Sequence, residues 1–242
     1  MTDPVTVVAP AKLTLTLRVT GVRDDGYHLI DAEMVSLDIA DELTFRPADR
    51  THIALTGPTA AGLSAGEGNL VAKALRAVGR TADVTVDKHI PHGGGLGGGS
   101  ADAAAVFRWA GVDDLGLAAR VGADVPFCTR GGRARVRGIG EVLDPLPFVE
   151  QTVTLATPDF GCDTAAVYAA WDALGGPTAD GPNDLEPAAL RVEPRLAAFR
   201  DALGEGTGEV PVLAGSGSTW FVPGAHPGPG RVVARTVVAF ES

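Results

Sequence analysis

Residues 87–106 run DKHIPHGGGLGGGSADAAAV. Six of the seven residues from Gly93 to Gly99 are glycine, and an alanine-rich run follows at once. Each glycine costs roughly 0.5–1 kcal/mol relative to alanine wherever regular structure forms. Six of them together forgo an amount comparable with the net stability of a whole domain. Upstream, ADVTVDKHI (82–90) alternates with the period of a strand. Downstream, SADAAAVFRWAG (100–111) has the makeup of a helix, with Ser100 predicted at the N-cap and Asp102 in the first turn. A strand, a bare-backbone loop and a helix N-terminus are an arrangement suited to binding phosphate, rather than a flexible linker. Amide N–H groups point into the loop, the helix end adds partial positive charge, and glycine lets phosphate oxygens come close.

Two familiar phosphate loops fit poorly. The Walker pattern needs a lysine directly after the last glycine, where Ser100 stands. The dinucleotide pattern GxGxxG matches at Gly93, Gly95 and Gly98, with Asp113 near the distance of a ribose contact. With six glycines to choose from, that match is close to automatic.

Composition bounds the rest. The chain has 242 residues and a formal net charge of −10, which speaks against nucleic acid or an anionic membrane as partner. Any anion must be held by local groups. Cys128 and Cys162 lack the spacing of a zinc site or disulfide framework. The N-terminal MTDPVTVVAPAK is unlike a signal peptide, and no apolar run approaches a membrane span, so a cytoplasmic protein is expected. Only Lys12, Lys73 and Lys88 are lysine among 20 basic residues, and a lysine retained where arginine dominates suggests a job that a guanidinium cannot do.

Along the chain, KLTLTLRV (12–19) predicts a half-buried strand, with Leu13, Leu15, Leu17 and Val19 on one face and Lys12, Thr14, Thr16 and Arg18 on the other. DDGYH (24–28) reads as a turn, and strand material broken at IADE (39–42) follows. A helix over 69–79 is capped by Asn69, and a short helical piece is expected around 113–121. DPLPF (144–148) is the predicted boundary between domains at 1–147 and 148–242. Beyond it come a strand at TVTLATP, a helix at TAAVYAAWDALGG, a second helix through Leu203, and strands at VPVLAG, STWFV and RVVARTVVAF. Strands and helices interleave in an α+β chain.

PHGGGLGGGSADAAA resembles the P-x-x-x-G-L-G-S-S-A-A phosphate loop of the GHMP kinases. APAKLTL near the start, GADVPF (122–127) and LAGSGSTWF (213–221) stand in that family's order. DDGYH, GADVPF with GIGE, NDLEPAA (183–189) and AVYAAW (166–171) are similar to the branch acting on the cytidine diphosphate derivative of methylerythritol, in the non-mevalonate route to isoprenoids. The resemblance implies a two-lobed fold, with a ribosomal-protein-S5-like N-terminal domain and a ferredoxin-like C-terminal domain. It implies ATP and Mg²⁺ as cofactors, a small-molecule substrate, and a monomer or homodimer.

By that resemblance Asp124 is the catalytic base and Lys12 the cation that stabilises charge on the attacking oxygen. Pro91, Gly93, Gly94, Gly95, Leu96, Gly97, Gly98, Gly99 and Ser100 form the ATP loop, with Ser100 also a candidate Mg²⁺ ligand. Tyr27 and His28 match the cytosine-reading pair, Tyr168 a second aromatic wall, and Thr14 a substrate contact where the family usually carries asparagine. Gly215, Ser216 and Gly217 make a second backbone nest. Asn183 and Asp184 match without an assigned role, beyond capping the next helix. Ser100 and Asp124 are closer in sequence than is usual in the family, implying a trimmed segment. Rival readings are a mevalonate- or homoserine-type kinase, a non-catalytic nucleotide-binding homologue and, most distantly, a nicotinamide-dependent oxidoreductase.

Overall fold

The computed structural model describes residues 3–240. Strands β1 (Val5–Val22) and β2 (His28–Pro47) form a long antiparallel hairpin closed by a turn at residues 23–27. β2 is the hub. Its first half pairs with β5 (Arg133–Gly138), which carries β6 (Val142–Pro145), and its second half pairs with β4 (Ala82–Asp87). β3 (His52–Thr56), which the sequence pattern did not mark, lies parallel to β4.

Two irregularities in the hairpin correct the sequence reading. Thr14 pairs with Met34 and Thr16 with Glu33, so Leu15 is an extra residue in β1. Such a bulge reverses the facing of everything beyond it. Leu17, opposite Ala32, therefore joins the face of Lys12 and Thr14, while Thr16 turns to the other side. The expected leucine face does not hold past Thr14. In β2 the predicted break at 39–42 is absent, and the strand runs through it. The irregularity is a register shift just before it, opposite Pro10 and Lys12.

The helix after the glycine loop, α2 (Gly98–Ala110), lies against β1 between α1 (Leu70–Ala77) and α4 (Val125–Arg130), with α3 (Leu115–Val121) alongside. All of Ala101–Phe107 is buried, which explains the alanine run. A helix enclosed on several sides needs small side chains for close approach, and Phe107 fills the space they leave.

The second half contains β7 (Thr152–Ala156), β8 (Val212–Leu213), β9 (Trp220–Pro223) and β10 (Arg231–Val237), with α5 (Thr164–Ala173), α6 (Glu186–Val192) and α7 (Leu196–Thr207). The single helix expected through Leu203 is two helices. Pro194 forces Glu193 out of helical geometry, to φ −131 and ψ 84. β10 pairs with β7, and through Thr236↔Leu37 and Val237↔Ser36 also with β2. The path β3-β4-β2-β10-β7-β9-β8 is thus continuous, with the last strand as its bridge.

Candidate active site

The glycine loop enters α2 earlier than the sequence suggests. Gly97 is the N-cap, left-handed at φ 70, and α2 begins at Gly98. Ser100 is therefore inside the first turn and caps nothing, and Asp102 is a buried residue of the second turn. No side chain caps this helix. The first amides of a helix have no intrahelical acceptor, so those of Gly98, Gly99 and Ser100 are available to an anion.

Two glycines are required by what surrounds them. A Cβ on Gly97 would lie 2.6 Å from Lys12 Cγ, and one on Gly95 2.6 Å from the Gly217 carbonyl oxygen and 2.9 Å from that of Ala214. The loop is thus wedged between the β1 lysine and the 214–219 loop of the other half. The Thr219 amide donates to the Gly94 carbonyl at 3.1 Å, fastening the two loops backbone to backbone.

Two cavities meet at this loop. One, of about 250 Å³, is walled by Pro91, Gly93, Gly95 to Gly99, Leu70 and Asn69. The other, of about 760 Å³, is walled by Lys12, Thr14, Tyr27, His28, Asp124, Tyr168, Gly215 and Ser216. Gly95 and Gly97 belong to both walls.

In the larger cavity, Lys12 Nζ lies 3.4 Å from Asp124 Oδ2 and donates to Thr14 Oγ1 at 3.1 Å. The Lys12 amide donates to the Leu96 carbonyl at 3.0 Å, which ties the β1 lysine to the loop. Asp124 precedes α4 but its carboxylate bonds no amide there. It does not serve as a helix cap, and Pro126 in the first turn starts the helix without one. The carboxylate is 32% exposed, open to the cavity, whereas the Lys12 side chain is 7% exposed.

The far wall is made by α5. Tyr168, Trp171 and Asp172 share one of its faces by i, i+3, i+4 spacing. All three hold the His28 ring: Tyr168 at 4.6 Å between centroids, Trp171 edge-on at 5.6 Å, and Asp172 Oδ1 at 2.9 Å from Nε2. Burial, with the Asp124 charge adding to it, pushes the Tyr168 phenol up to about 12, so it stays neutral. Tyr27 is 60% exposed at the cavity rim. Cys128, beneath the site on α4, is pushed to about 12 chiefly by burial, which leaves its thiol inert.

Most of the predicted residues converge here, with three departures. Gly94 faces Thr157 and Thr219 rather than a cavity. Gly217 meets Gly95 through its carbonyl and does not line the larger cavity. Ser100 Oγ points toward Gly122, 4.0 Å from where a Cβ there would sit, and lines neither cavity.

Other residues gain roles that sequence spacing could not give. Asn183 is 1% exposed; its Nδ2 donates to the carbonyls of Leu213 and Gly215, and its Oδ1 accepts from the Leu185 amide. It shapes the 214–219 loop, whereas the N-cap of α6 is Leu185 with no side-chain cap, so neither Asn183 nor Asp184 caps that helix as expected. Asp184 accepts from Arg18 and from the Val19 amide, joining the two halves. Asp172 was not marked at all. Its partner His28 is distant in the chain, and only its i+4 relation to Tyr168 offered a clue.

The model of the GHMP kinases N terminal domain matches residues 69–132. The chain is 41% identical over 232 residues to the 4-diphosphocytidyl-2-C-methyl-D-erythritol kinase of Paracoccus denitrificans (strain Pd 1222), covering 88% of this chain and 84% of that one. With the protein of the same name from Cereibacter sphaeroides (strain ATCC 17025 / ATH 2.4.3) it shares 38% over 259 residues, covering 96% and 93%. Among solved structures, a crystal structure of 4-(cytidine 5'-diphospho)-2C-methyl-D-erythritol kinase superposes with a TM-score of 0.74 at 30% identity, covering 96% of this chain and 99% of that one. A homoserine kinase from Cytophaga hutchinsonii ATCC 33406 shares the fold, with a TM-score of 0.64 at 19% identity over 99% of this chain and 96% of that one. Relatives of one name along nearly the whole length set aside the oxidoreductase reading and leave the other kinases as distant fold neighbours: the chain belongs to the 4-diphosphocytidyl-2-C-methyl-D-erythritol kinase family of the GHMP kinases.

Proposed function

We propose that this chain transfers the γ-phosphoryl group of ATP to the 2-hydroxyl of 4-diphosphocytidyl-2-C-methyl-D-erythritol, in isoprenoid precursor biosynthesis. One observation carries the reading. A single glycine loop is the common wall of two cavities, and the Lys12–Asp124 pair stands on the acceptor side of that wall. Phosphoryl transfer needs a donor and an acceptor held in line, with little covalent chemistry from the protein.

In this reading ATP occupies the smaller cavity, its phosphates on the amides of Gly97 to Ser100. The acceptor occupies the larger one. Asp124 takes the proton of the attacking hydroxyl, and the Lys12 ammonium stabilises the charge that develops on its oxygen. Thr14 fixes the ammonium by accepting from it. Tyr168 and His28 offer a stacked aromatic wall suited to a planar pyrimidine, and Tyr27 closes over it from the rim. Gly215 and Ser216 approach the diphosphate with backbone, on the loop that Asn183 holds.

Mg²⁺ fits this donor set in the way it usually binds nucleotides. No group of three or more His, Cys, Asp or Glu side chains is assembled among the described residues, so phosphate and water oxygens would supply most of its ligands. Asp124, or Ser100 after a rotamer change, would add one protein oxygen. When bound, the ion neutralises phosphate charge. No helix among the described residues is long and apolar enough to cross a membrane. We place the enzyme in the cytoplasm, acting as a monomer or homodimer, with lobes dividing at 147/148.

The test is ADP release from ATP and Mg²⁺ with the cytidylyl substrate, mevalonate or homoserine as acceptor. Turnover with the cytidylyl substrate alone is expected, and Asp124→Asn should lower kcat by roughly 10²–10⁴-fold. Turnover on another alcohol would refute the base-recognition role of Tyr27 and His28. Binding of ATP without turnover on any acceptor would refute the kinase reading.

A further inference from the structure

The loop that separates the cavities must be stiff before ATP arrives, and glycine supplies no stiffness. Beneath it lie three titratable side chains that the reaction does not use. Asp41 on β2, Lys88 just after β4 and Asp102 on α2 are 0%, 3% and 5% exposed. Lys88 Nζ donates to Asp41 Oδ2, and at 2.6 Å to Asp102 Oδ2. The other oxygen of Asp41 accepts from the amides of His89 and Ile90, at 2.5 Å and 2.8 Å. One ammonium thus joins three elements: the hub strand, the chain entering the loop, and the helix leaving it. It also reaches the loop itself, lying 3.5 Å from where a Cβ on Gly98 would be.

Burying these groups is costly: burial, only partly opposed by the Lys88 ammonium, pushes the Asp102 carboxyl well above the usual carboxylate range, and such clusters add little stability over well-packed apolar residues of the same volume. Burial alone would lower the Lys88 pKa; the two carboxylates more than offset this, so the ammonium stays charged. Asp102 Oδ1 has no hydrogen-bond partner although buried, a deficit that a purely structural cluster would have no reason to keep. Lys88 and Asp102 both line the smaller cavity.

We propose that Asp41, Lys88 and Asp102 are positioning residues that fix the shape of the glycine loop, and so set affinity for the nucleotide polyphosphate without joining the chemistry. The inference rests on the assignment of the smaller cavity to ATP. Its effect falls chiefly on the nucleotide, although the loop also touches Lys12 through Leu96. The strut holds the residues that enter the loop and the helix that leaves it, whereas Lys12 and Asp124 are placed by β1 and α4.

Calorimetric binding of ADP and steady-state kinetics with both substrates test this in Lys88→Met, Asp41→Asn, Asp102→Ala and Asp102→Asn. Lys88→Met and Asp102→Ala should raise the ADP Kd and the KM for ATP by roughly tenfold, leaving the acceptor KM within about twofold. Asp102→Asn keeps an oxygen for Lys88 and should restore most of the affinity lost in Asp102→Ala. A fall in melting temperature with the KM for ATP unchanged would make the cluster merely structural and overturn the proposal. Should the variants fail to fold, hydrogen exchange of the wild-type protein decides. The His89 and Ile90 amides should be as protected without nucleotide as the amides of β4, and exchange that slows only when ADP is added would overturn the idea. If the wild-type protein binds neither ADP nor ATP, the assignment of the cavity fails instead.

Discussion

Gly97→Ala isolates the contact between the glycine loop and the Lys12–Asp124 pair. A Cβ there would lie 2.6 Å from Lys12 Cγ, against an ordinary carbon contact of about 3.5–4.0 Å, so the lysine must move by about 1 Å or more. Its neighbours leave it little choice of direction, because its amide is held by Leu96 and its Nζ by Thr14. If Nζ retreats from the attacking oxygen as it would from the Asp124 carboxylate, from 3.4 Å to about 5 Å, its stabilisation of the developing charge falls by about 1.5 kcal/mol at an effective dielectric of about 20. That corresponds to roughly a tenfold slower step. Solvent at the one-third-exposed carboxylate trims the effect, so a loss of about five- to tenfold in kcat is expected. The left-handed backbone adds a separate stability cost of about 1–2 kcal/mol. Gly79→Ala is the control: φ is 64, nothing lies within 4 Å of the added carbon, and the site is distant. Steady-state kcat with both substrates saturating, together with thermal unfolding, separates the two effects. The two variants should lose similar backbone stability, and only Gly97→Ala should lose rate. Full kcat in Gly97→Ala would show that the loop does not set the position of Lys12.

Further expectations are open to direct measurement. Asn183→Ala strips partners from two buried carbonyls and an amide; at about 1–3 kcal/mol for each orphaned group, it should lower the melting temperature and raise the acceptor KM. Tyr168→Ala should raise the acceptor KM several-fold while leaving the KM for ATP unchanged, since Tyr168 walls only the larger cavity. Of the two phenols in the chain, that of Tyr168 should ionise near pH 12 in an ultraviolet titration. Because its ordinary value is near 10, the native state keeps a proton that the unfolded chain gives up. Stability should therefore fall as pH rises from about 10 to about 12, and less steeply in Tyr168→Phe. Thiol reagents should modify partly exposed Cys162 well before buried Cys128.

The glycine run, its flanking strand and helix, and the Asp124 turn were all legible, because each depends on residues close together in the chain. The α+β class followed from the same local patterns, and family likeness added Lys12, Tyr27 and His28 as candidate site residues. What escaped depends on pairing across the chain. The extra residue at Leu15 shows only against Met34 and Glu33, so alternation in β1 placed Leu17 on the wrong face. Ser100 looked like a cap because serine favours that position, yet left-handed Gly97 starts the helix earlier and spares its amides. Asp41 and Asp172 had no local mark, since their partners are supplied by distant segments.

The bridge made by β10 sets an order of events in synthesis. Ser36 and Leu37 emerge early but meet Val237 and Thr236 only at the far end of the chain. Until then the hub strand has an unfilled edge, and the two halves lack the ladder that connects their strands. Long-range pairing of this kind is slow and leaves sheet edges exposed to other chains. A growing polypeptide can therefore shape its glycine loop well before the acceptor side is in register with it. A chain truncated before Arg231 would keep every residue of both cavities, its halves joined without this ladder by contacts such as Arg18–Asp184 and Gly94–Thr219.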